Sequence, residues 1–195
     1  MDNEQVLTIF KETQALLEGH FQLTSGLHSN QYFQCAKVLQ YPQYAELLCG
    51  DIARHFMMHG IGAVIAPAMG GIVVSQEVGR QLRARTMFAE RKDGVMQLRR
   101  GFEIREGEKV LVCEDVVTTG GSVLEVVEIV RAMGGQVRGI GYIVDRSGGK
   151  VHFGLEDQDS QYAVLHMDVL AYKPGQCPLC ASGMPLVKPG SRGNA

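Results

Sequence analysis

Apolar residues follow two different periods along this chain, and the period decides which element each segment is expected to form. Over residues 3–18 and 43–59, apolar side chains recur every three or four positions, which predicts amphipathic helices. Four short, continuous apolar runs lack this period and occupy residues 63–66, 86–89, 109–113 and 139–144. Such runs are typical of strands that are buried on both faces of a parallel sheet.

Helical patterns at residues 73–82 and 122–133 separate some of these strands, and a further strand is predicted at residues 162–167. Strands that alternate with helices predict an α/β fold with an open, mainly parallel sheet flanked by helices. Outside this core, residues 20–40 mix aromatic with small polar residues and predict a hairpin. The residues from 171 onward are rich in Pro, Gly and Ser, and we expect them to be irregular.

Composition narrows the possible functions. The 195 residues are 45% hydrophobic and 21% charged, which suits one globular domain. A net charge of −2 provides no basic field for nucleic acid, and no apolar run is long enough to span a membrane. The first residues lack the basic and apolar regions of a signal peptide. Together with five cysteines, an odd number, this predicts reduced thiols and a cytoplasmic location.

The most informative segment follows the predicted strand at residues 109–113. It consists of Glu114, Asp115, Val116, Val117, Thr118, Thr119, Gly120, Gly121 and Ser122, and a predicted helix begins at its end. Small residues at a helix N-terminus leave backbone N–H groups open to a phosphate. The two carboxylates beside them suit hydroxyl groups or a hydrated cation. The segment therefore predicts a sugar phosphate site, and it matches neither the P-loop nor the dinucleotide fingerprint.

Three other loops follow predicted strands, and ligands of open parallel sheets bind beyond the carboxyl ends of the strands. Residues 66–71 contain Met69 and two glycines, which allow the backbone to approach an anion. Residues 90–101 form a basic loop that could close over a diphosphate. Arg146 can bind a planar carboxylate or imide through paired N–H groups.

These motifs resemble type I phosphoribosyltransferases, and residues 19–34 resemble orotate phosphoribosyltransferases in particular. The latter resemblance lies in Phe21, Leu23, Ser25 and Gly26, followed by the aromatic pair Tyr32 and Phe33. It implies a single domain over residues 1–195. A small N-terminal hood over the active site would comprise residues 1–40 and part of the C-terminal tail, and the core would span about residues 43–170.

The resemblance also implies a reaction, in which orotate and 5-phosphoribosyl 1-diphosphate give orotidine 5′-monophosphate and diphosphate, a step of pyrimidine synthesis. Asp115, Arg91 and Lys92 would be catalytic. The residues implied to bind the diphosphate sugar are Met69, Gly70, Glu114, Asp115, Val116, Val117, Thr118, Thr119, Gly120, Gly121 and Ser122. Those implied to bind orotate are Ser25, Tyr32, Phe33, Thr118 and Arg146. The substrate would hold most of the Mg²⁺ contacts, with Glu114 and Asp115 nearby, and a homodimer would share its active sites.

The chain departs from the family pattern at three places. Gly70 stands where close relatives often carry a lysine, and Thr24 stands where some carry another. In the family pattern, the basic loop carries a further lysine and a histidine. Residues 94–97 of this chain contain neither, so Arg99 and Arg100 are candidates to replace them. Two alternatives therefore stay open: a phosphoribosyltransferase for another nucleobase, and a regulator that keeps the fold without catalysis.

Cys177 and Cys180 form a Cys-x-x-Cys pair outside these motifs. We expect a turn that packs the tail, or a pair able to form a disulfide. A metal site is the alternative, and it would need further ligands from Cys35, Cys49 or a partner subunit.

Overall fold

A computed structural model describes residues 1–23, 26–155, 160–167 and 170–189 of the chain. The helices in this part are α1 (Asn3–Glu12), α2 (Cys35–Leu39), α3 (Pro42–Phe56), α4 (Gly70–Leu82), α5 (Gly121–Ala132) and α6 (Pro178–Ala181). The strands are β1 (Leu16–Gln22), β2 (His28–Phe33), β3 (Ala63–Pro67), β4 (Arg85–Lys92), β5 (Val95–Leu98), β6 (Lys109–Val117), β7 (Gln136–Asp145), β8 (Gln161–His166) and β9 (Ala171–Tyr172).

The larger sheet has six strands in the order β5-β4-β3-β6-β7-β8. All neighbouring pairs are parallel except β4 and β5, which form an antiparallel hairpin. The four continuous apolar runs became β3, β4, β6 and β7, and the further predicted strand became β8. The predicted α/β fold with a mainly parallel sheet is therefore confirmed.

Helices cover both faces of this sheet, and successive strand residues contribute to different faces. Val64 and Leu111 pack with α3 and α4 in one core cluster. Ile65 and Val112 are the next residues along the same strands, and they pack with α5 in the other cluster. Because both faces are buried, each strand is apolar along its length, which explains the continuous runs in the sequence.

A smaller antiparallel sheet, in the order β1-β2-β9, joins the N-terminal hairpin to the C-terminal tail. The tail also pairs with β1 through Val187, whose N–H donates to the carbonyl of His20 at 2.8 Å and whose carbonyl accepts from the N–H of Gln22 at 2.8 Å. The tail was expected to be irregular, and that prediction is wrong for β9 and α6. Their short lengths gave no periodic signal, and contacts with β1 and β2 hold the tail in place.

The first helix is also shorter than predicted, because it ends at Glu12 rather than near residue 18. Gln14 has a left-handed backbone, with φ at 54°, which stops the helix. Leu16 and Leu17 then pair with Phe33 and Tyr32 across the hairpin. Two adjacent leucines fit the period of a helix as well as a strand. Only the pairing with the neighbouring strand shows that they form a strand here.

Candidate active site

Glu114 and Asp115 end the buried part of β6 and lie against each other. The carboxylate of Glu114 accepts the N–H of Asp115 at 3.1 Å, and the carboxylate of Asp115 accepts the N–H of Val116 at 2.8 Å. Glu114 is buried, whereas Asp115 is half-buried. The strand thus presents two adjacent carboxylates at the sheet edge where ligands of this fold class bind.

The pKa values of both carboxyl groups are raised in the folded chain. Burial raises the pKa of Glu114 well above its usual value, and the neighbouring charge of Asp115 raises it further. Burial also raises the pKa of Asp115, while hydrogen bonds from Glu114 and from the N–H of Val116 oppose that rise. Two such close carboxylates cannot both ionise without strong repulsion. Because the pKa of Glu114 is raised more than that of Asp115, Asp115 is the carboxyl that ionises more readily.

Replacing Glu114 with glutamine should stabilise the folded chain at neutral and alkaline pH. The amide keeps the hydrogen bonds of the protonated carboxyl, and it avoids the loss of stability that wild type suffers when pH rises above the carboxyl's unfolded pKa of about 4.3. We expect the free energy of unfolding at pH 8 to rise by about 1 kcal/mol, which corresponds to an increase in Tm of about 2–4 °C. The difference should vanish near pH 4, and thermal melts across this range measure it.

The control for this variant is Glu128→Gln, which alters an exposed carboxylate on α5. It should leave the pH dependence of Tm close to that of wild type. If Glu114→Gln is less stable than wild type at pH 8, then the pKa of Glu114 is not raised in the folded chain.

Gly70 begins α4 directly in front of the acidic pair. A side chain at this position would overlap the carboxylate of Asp115, and one at Gly71 would approach the Cβ of Ala66 to 2.7 Å. A lysine at position 70 would therefore displace Asp115, which gives a physical reason for the glycine. Met69 precedes the helix with its side chain largely exposed, and the peptide bond between Ala68 and Met69 is cis.

A small pocket lies between the end of β6 and the start of α5. It is lined by Glu114 and by Val116, Val117, Thr118, Thr119, Gly120, Gly121, Ser122 and Val123. Gly120, the N-cap of α5, has a φ of 74°, and no side chain of a described residue caps the helix. The N–H groups of the first helical turn are therefore open to an anion, at the positive end of the helix dipole.

Arg146 follows β7 at the same edge and is held among aromatic residues. Its guanidinium carbon lies 5.8 Å from the centre of the Phe33 ring. Its Nε is buried and finds no hydrogen-bond partner among the described residues. Burial lowers the pKa of Arg146, and interaction with Tyr32 opposes that fall. A buried donor without a partner is rare, so Arg146 is a candidate to bind an acceptor group of a ligand.

Asp145 positions this arginine, a role that the sequence analysis missed. Its buried carboxylate accepts hydrogen bonds from the N–H and hydroxyl of Ser147, from the N–H of Gly149 and from His166. Burial raises the pKa of Asp145, but these hydrogen bonds outweigh it and the net shift is downward. The carboxylate thus fixes the turn that carries Arg146. The sequence signal that could have revealed this role is the position of Asp145, a charged residue at the end of an apolar strand.

Sequence comparison identifies the family to which this arrangement belongs. The phosphoribosyl transferase domain family matches residues 45–153. Over 195 residues, the chain is 58% identical to the orotate phosphoribosyltransferase of Chlorobaculum parvum, and the alignment covers 100% of this chain and 99% of that protein. The chain belongs to the orotate phosphoribosyltransferase family.

Solved structures extend the likeness of the fold beyond this family. Orotate phosphoribosyltransferase from Aeropyrum pernix superposes with a TM-score of 0.68 at 23% identity, covering 83% of this chain and 93% of that one. Adenine phosphoribosyltransferase from Rhodothermus marinus also superposes with a TM-score of 0.68, at 19% identity, and the match covers 85% of this chain and 100% of that one. Proteins named for different bases share the fold, so the fold alone does not select the base.

The basic segment, which was predicted as a loop, contains the β-hairpin of β4 and β5. Arg91 forms an ion pair with Glu125 of α5 at 2.6 Å, and its guanidinium also donates to the carbonyl of Gly94 at 2.9 Å. Arg99 and Arg100 pair with Glu90 at 3.1 and 2.9 Å. The hairpin formed because residues 95–98 pair with the end of β4, a long-range register that a run of charges conceals. Lys92 remains exposed.

Two further predictions concern Ser25 and the absence of a membrane span. Ser25, predicted to bind orotate, lies outside the described residues. Among the described residues, no helix is both long and apolar enough to cross a membrane.

Proposed function

We propose that the chain performs the reaction for which its relatives are named, with the residues of this sheet edge in defined roles. It would transfer the phosphoribosyl group of 5-phosphoribosyl 1-diphosphate to orotate, which yields orotidine 5′-monophosphate and diphosphate for pyrimidine synthesis. The observation that carries these roles is the meeting of three features: an anion pocket, a carboxylate pair and a half-buried arginine whose buried Nε finds no acceptor among the described residues.

The sugar phosphate would occupy the pocket at the N-terminus of α5. Backbone N–H groups from Thr118 to Ser122 would bind the 5′-phosphate, with the hydroxyl groups of this segment as further donors. Glu114 and Asp115 would accept the 2′- and 3′-hydroxyls of the ribose. Residues 69–70 would offer backbone N–H groups to the diphosphate.

Orotate would bind beside this pocket, near Arg146. The guanidinium would donate paired hydrogen bonds to the carboxylate or imide of the ring. Phe33 supports the guanidinium from below, while Tyr32 and Thr118 would border the base. This arrangement would place the ring nitrogen in line with the anomeric carbon of the sugar.

The chemistry needs positioning and electrostatics rather than a covalent intermediate. As the bond to diphosphate breaks, the ribose ring develops positive charge, and the negative charge of Asp115 would stabilise it. The oxygen donors of Glu114 and Asp115 fit Mg²⁺, which prefers carboxylates together with substrate phosphates. When bound, Mg²⁺ supplies charge neutralisation for the diphosphate leaving group.

The activity is tested by following orotate absorbance with 5-phosphoribosyl 1-diphosphate, with and without Mg²⁺. We expect consumption of orotate that requires both the sugar diphosphate and Mg²⁺. Diphosphate release with adenine or xanthine, but not with orotate, would replace this proposal with the other-base alternative. No release with any base would favour the non-catalytic regulator.

A negative charge in the anion pocket should weaken binding of the sugar diphosphate. Ser122→Asp places a carboxylate on the first turn of α5, where it takes the position of the phosphate charge. We expect KM for 5-phosphoribosyl 1-diphosphate to rise about tenfold or more. The free energy of unfolding should rise by about 0.3–1 kcal/mol, because a negative charge at a helix N-terminus interacts favourably with the helix dipole.

The matched variant is Ser122→Asn, which has nearly the same shape without the charge. Its KM should stay much closer to that of wild type. Equal KM values for the two variants would show that the phosphate binds elsewhere.

We further propose that the chain is a cytoplasmic homodimer in which Lys92 reaches the active site of the neighbouring subunit, while Arg91 holds the hairpin in place. Two observations support this: Lys92 is exposed, and the ion pair of Arg91 with Glu125 fixes the hairpin beside the phosphate helix α5. All five cysteines are unpaired thiols, as expected in a reducing compartment. A basic group there would stabilise the departing diphosphate.

Mixing two weakened variants distinguishes shared from separate sites. Lys92→Ala and Asp115→Asn should each lose at least about tenfold in kcat. After subunit exchange, half of the dimers are mixed, and each mixed dimer has one site free of both changes, so activity should recover to about one quarter of wild type. Lack of recovery, with exchange verified by tagged subunits, would place Lys92 in its own subunit's site.

A further inference from the structure

Four residues with metal-binding side chains meet between the N-terminal hairpin and the C-terminal tail, away from the acidic pair. They are His20 on β1, His28 on β2, and Cys177 and Cys180 at the start of α6. Their ligand atoms all lie within 4.8 Å of one another. His20, His28 and Cys177 are buried, and only Cys180 is exposed.

Four of the six distances among these atoms are close to those of a tetrahedral zinc site. Nε2 of His20 lies 3.0 Å from Nδ1 of His28, and 3.6 Å from the Sγ atoms of both Cys177 and Cys180. Sγ of Cys180 lies 3.2 Å from Nδ1 of His28. A tetrahedron with bonds of about 2.3 Å to sulfur and about 2.0–2.1 Å to nitrogen separates two nitrogens by about 3.3 Å, and nitrogen from sulfur by about 3.6 Å.

A hydrogen bond outside the cluster prepares His20 for this role. Its Nδ1 lies 2.8 Å from the carbonyl oxygen of Met184. A carbonyl can only accept, so Nδ1 carries the proton and Nε2 presents its lone pair to the cluster. Zinc-binding histidines commonly donate their other N–H to a carbonyl in this way, which orients the ring.

We infer that His20, His28, Cys177 and Cys180 bind one structural Zn²⁺ per chain. Two imidazoles and two thiolates form a common closed donor set, and none of the four positions is left open for a substrate. The ligands differ from those considered from the sequence. Cys35 approaches the carbonyl of Asp115 instead, and Cys49 is buried within α3.

The zinc would join the tail to the hairpin that leads to the orotate pocket. The hydrogen bonds between Val187 and β1, together with the pairing of β2 with β9, lie on the same two strands as His20 and His28. Since β2 begins at His28 and ends at Tyr32 and Phe33, the metal would fix the turn end of the hairpin whose open end supports Arg146.

Metal analysis of the purified full-length chain tests this inference. After growth with zinc and dialysis against metal-free buffer, we expect one Zn²⁺ per chain. Cys177→Ser and His28→Ala should lose at least half of it, and Cys49→Ala and His152→Gln, which lie outside the cluster, should keep it. Full zinc retention by Cys177→Ser or His28→Ala would overturn the assignment.

X-ray absorption at the zinc edge of the wild-type protein gives an answer that does not depend on whether variants fold. We expect two sulfur ligands at about 2.3 Å and two nitrogen ligands at about 2.0–2.1 Å. Zinc bound only by nitrogen and oxygen would contradict the site. So would zinc-free protein, or protein that contains a Cys177–Cys180 disulfide. These measurements do not use turnover, so they stand apart from the proposed enzymatic activity.

Discussion

Replacing Asp115 with asparagine is expected to lower kcat by about two to three orders of magnitude, the range seen when a preorganised electrostatic contact to a transition state is removed. Because the pKa of Glu114 is raised more than that of Asp115, Asp115 is the carboxyl that would place a negative charge next to the ribose. Asparagine keeps the shape of the side chain and can still accept the N–H of Val116, so the loss reports on charge. Steady-state kinetics with saturating orotate and Mg²⁺ measures it.

Two comparisons make this result specific. Glu128→Gln removes an exposed carboxylate from α5, and its kcat should be unchanged. Thermal stability of Asp115→Asn should equal or exceed that of wild type, because a repulsive pair of buried carboxyls has been relieved. Unchanged kcat in Asp115→Asn would remove the acidic pair from the mechanism.

The second large effect is expected at Arg146, where lysine should raise KM for orotate about ten- to hundredfold. A hydrogen bond to a charged group contributes about 1.5–3 kcal/mol, and each 1.4 kcal/mol corresponds to a factor of ten. Lysine keeps the positive charge, but it loses both the paired geometry and the flat surface that packs on Phe33. KM for 5-phosphoribosyl 1-diphosphate should change by less than about threefold, since its pocket lies at α5.

Arg138→Lys is the matched control, because Arg138 lies on the same strand, β7, near its opposite end. It should leave both KM values unchanged. If Arg146→Lys raises KM for the sugar diphosphate instead, then Arg146 contacts the phosphate side and the base has another partner.

These two variants separate the features that all phosphoribosyltransferases share from those that select a base. In the proposed function, the acidic pair and the anion pocket bind the sugar diphosphate, whereas Arg146 and the hairpin that supports it select the base. The structures of an orotate and an adenine enzyme superpose on this chain with the same TM-score, so the fold does not select the base. The sequence identity of 58% to an orotate enzyme concerns the whole chain, including that hairpin.

The phosphate pocket could be predicted from the sequence because its parts are consecutive. Residues 114–122 form a strand end, a turn and a helix start, and each follows from local patterns of apolar, acidic and small residues. The strands of the parallel sheet were equally clear, since burial on both faces leaves an uninterrupted apolar run. The family resemblance then supplied the ribose and base roles that these patterns do not define.

Other features depend on residues that are far apart in the chain. Arg91 pairs with Glu125 of α5 and Arg100 pairs with Glu90, so the segment predicted as a basic loop is a hairpin with ion pairs both to α5 and within itself. The overlap that a side chain at Gly70 would have with Asp115 explains a glycine that looked like a missing lysine. Neither contact has a signature in local sequence.

Local sequence was enough to predict the parallel strands, most helices between them, the anion pocket and the carboxylate pair, because periodicity and short motifs act over a few neighbouring residues. Two features required the folded chain: the meeting of His20 and His28 with Cys177 and Cys180, and the contact of Arg146 with Phe33, in which the buried Nε finds no acceptor among the described residues. The physical reason is that chain crossovers and strand register set such distances, and many arrangements of the same elements would satisfy the local preferences equally well.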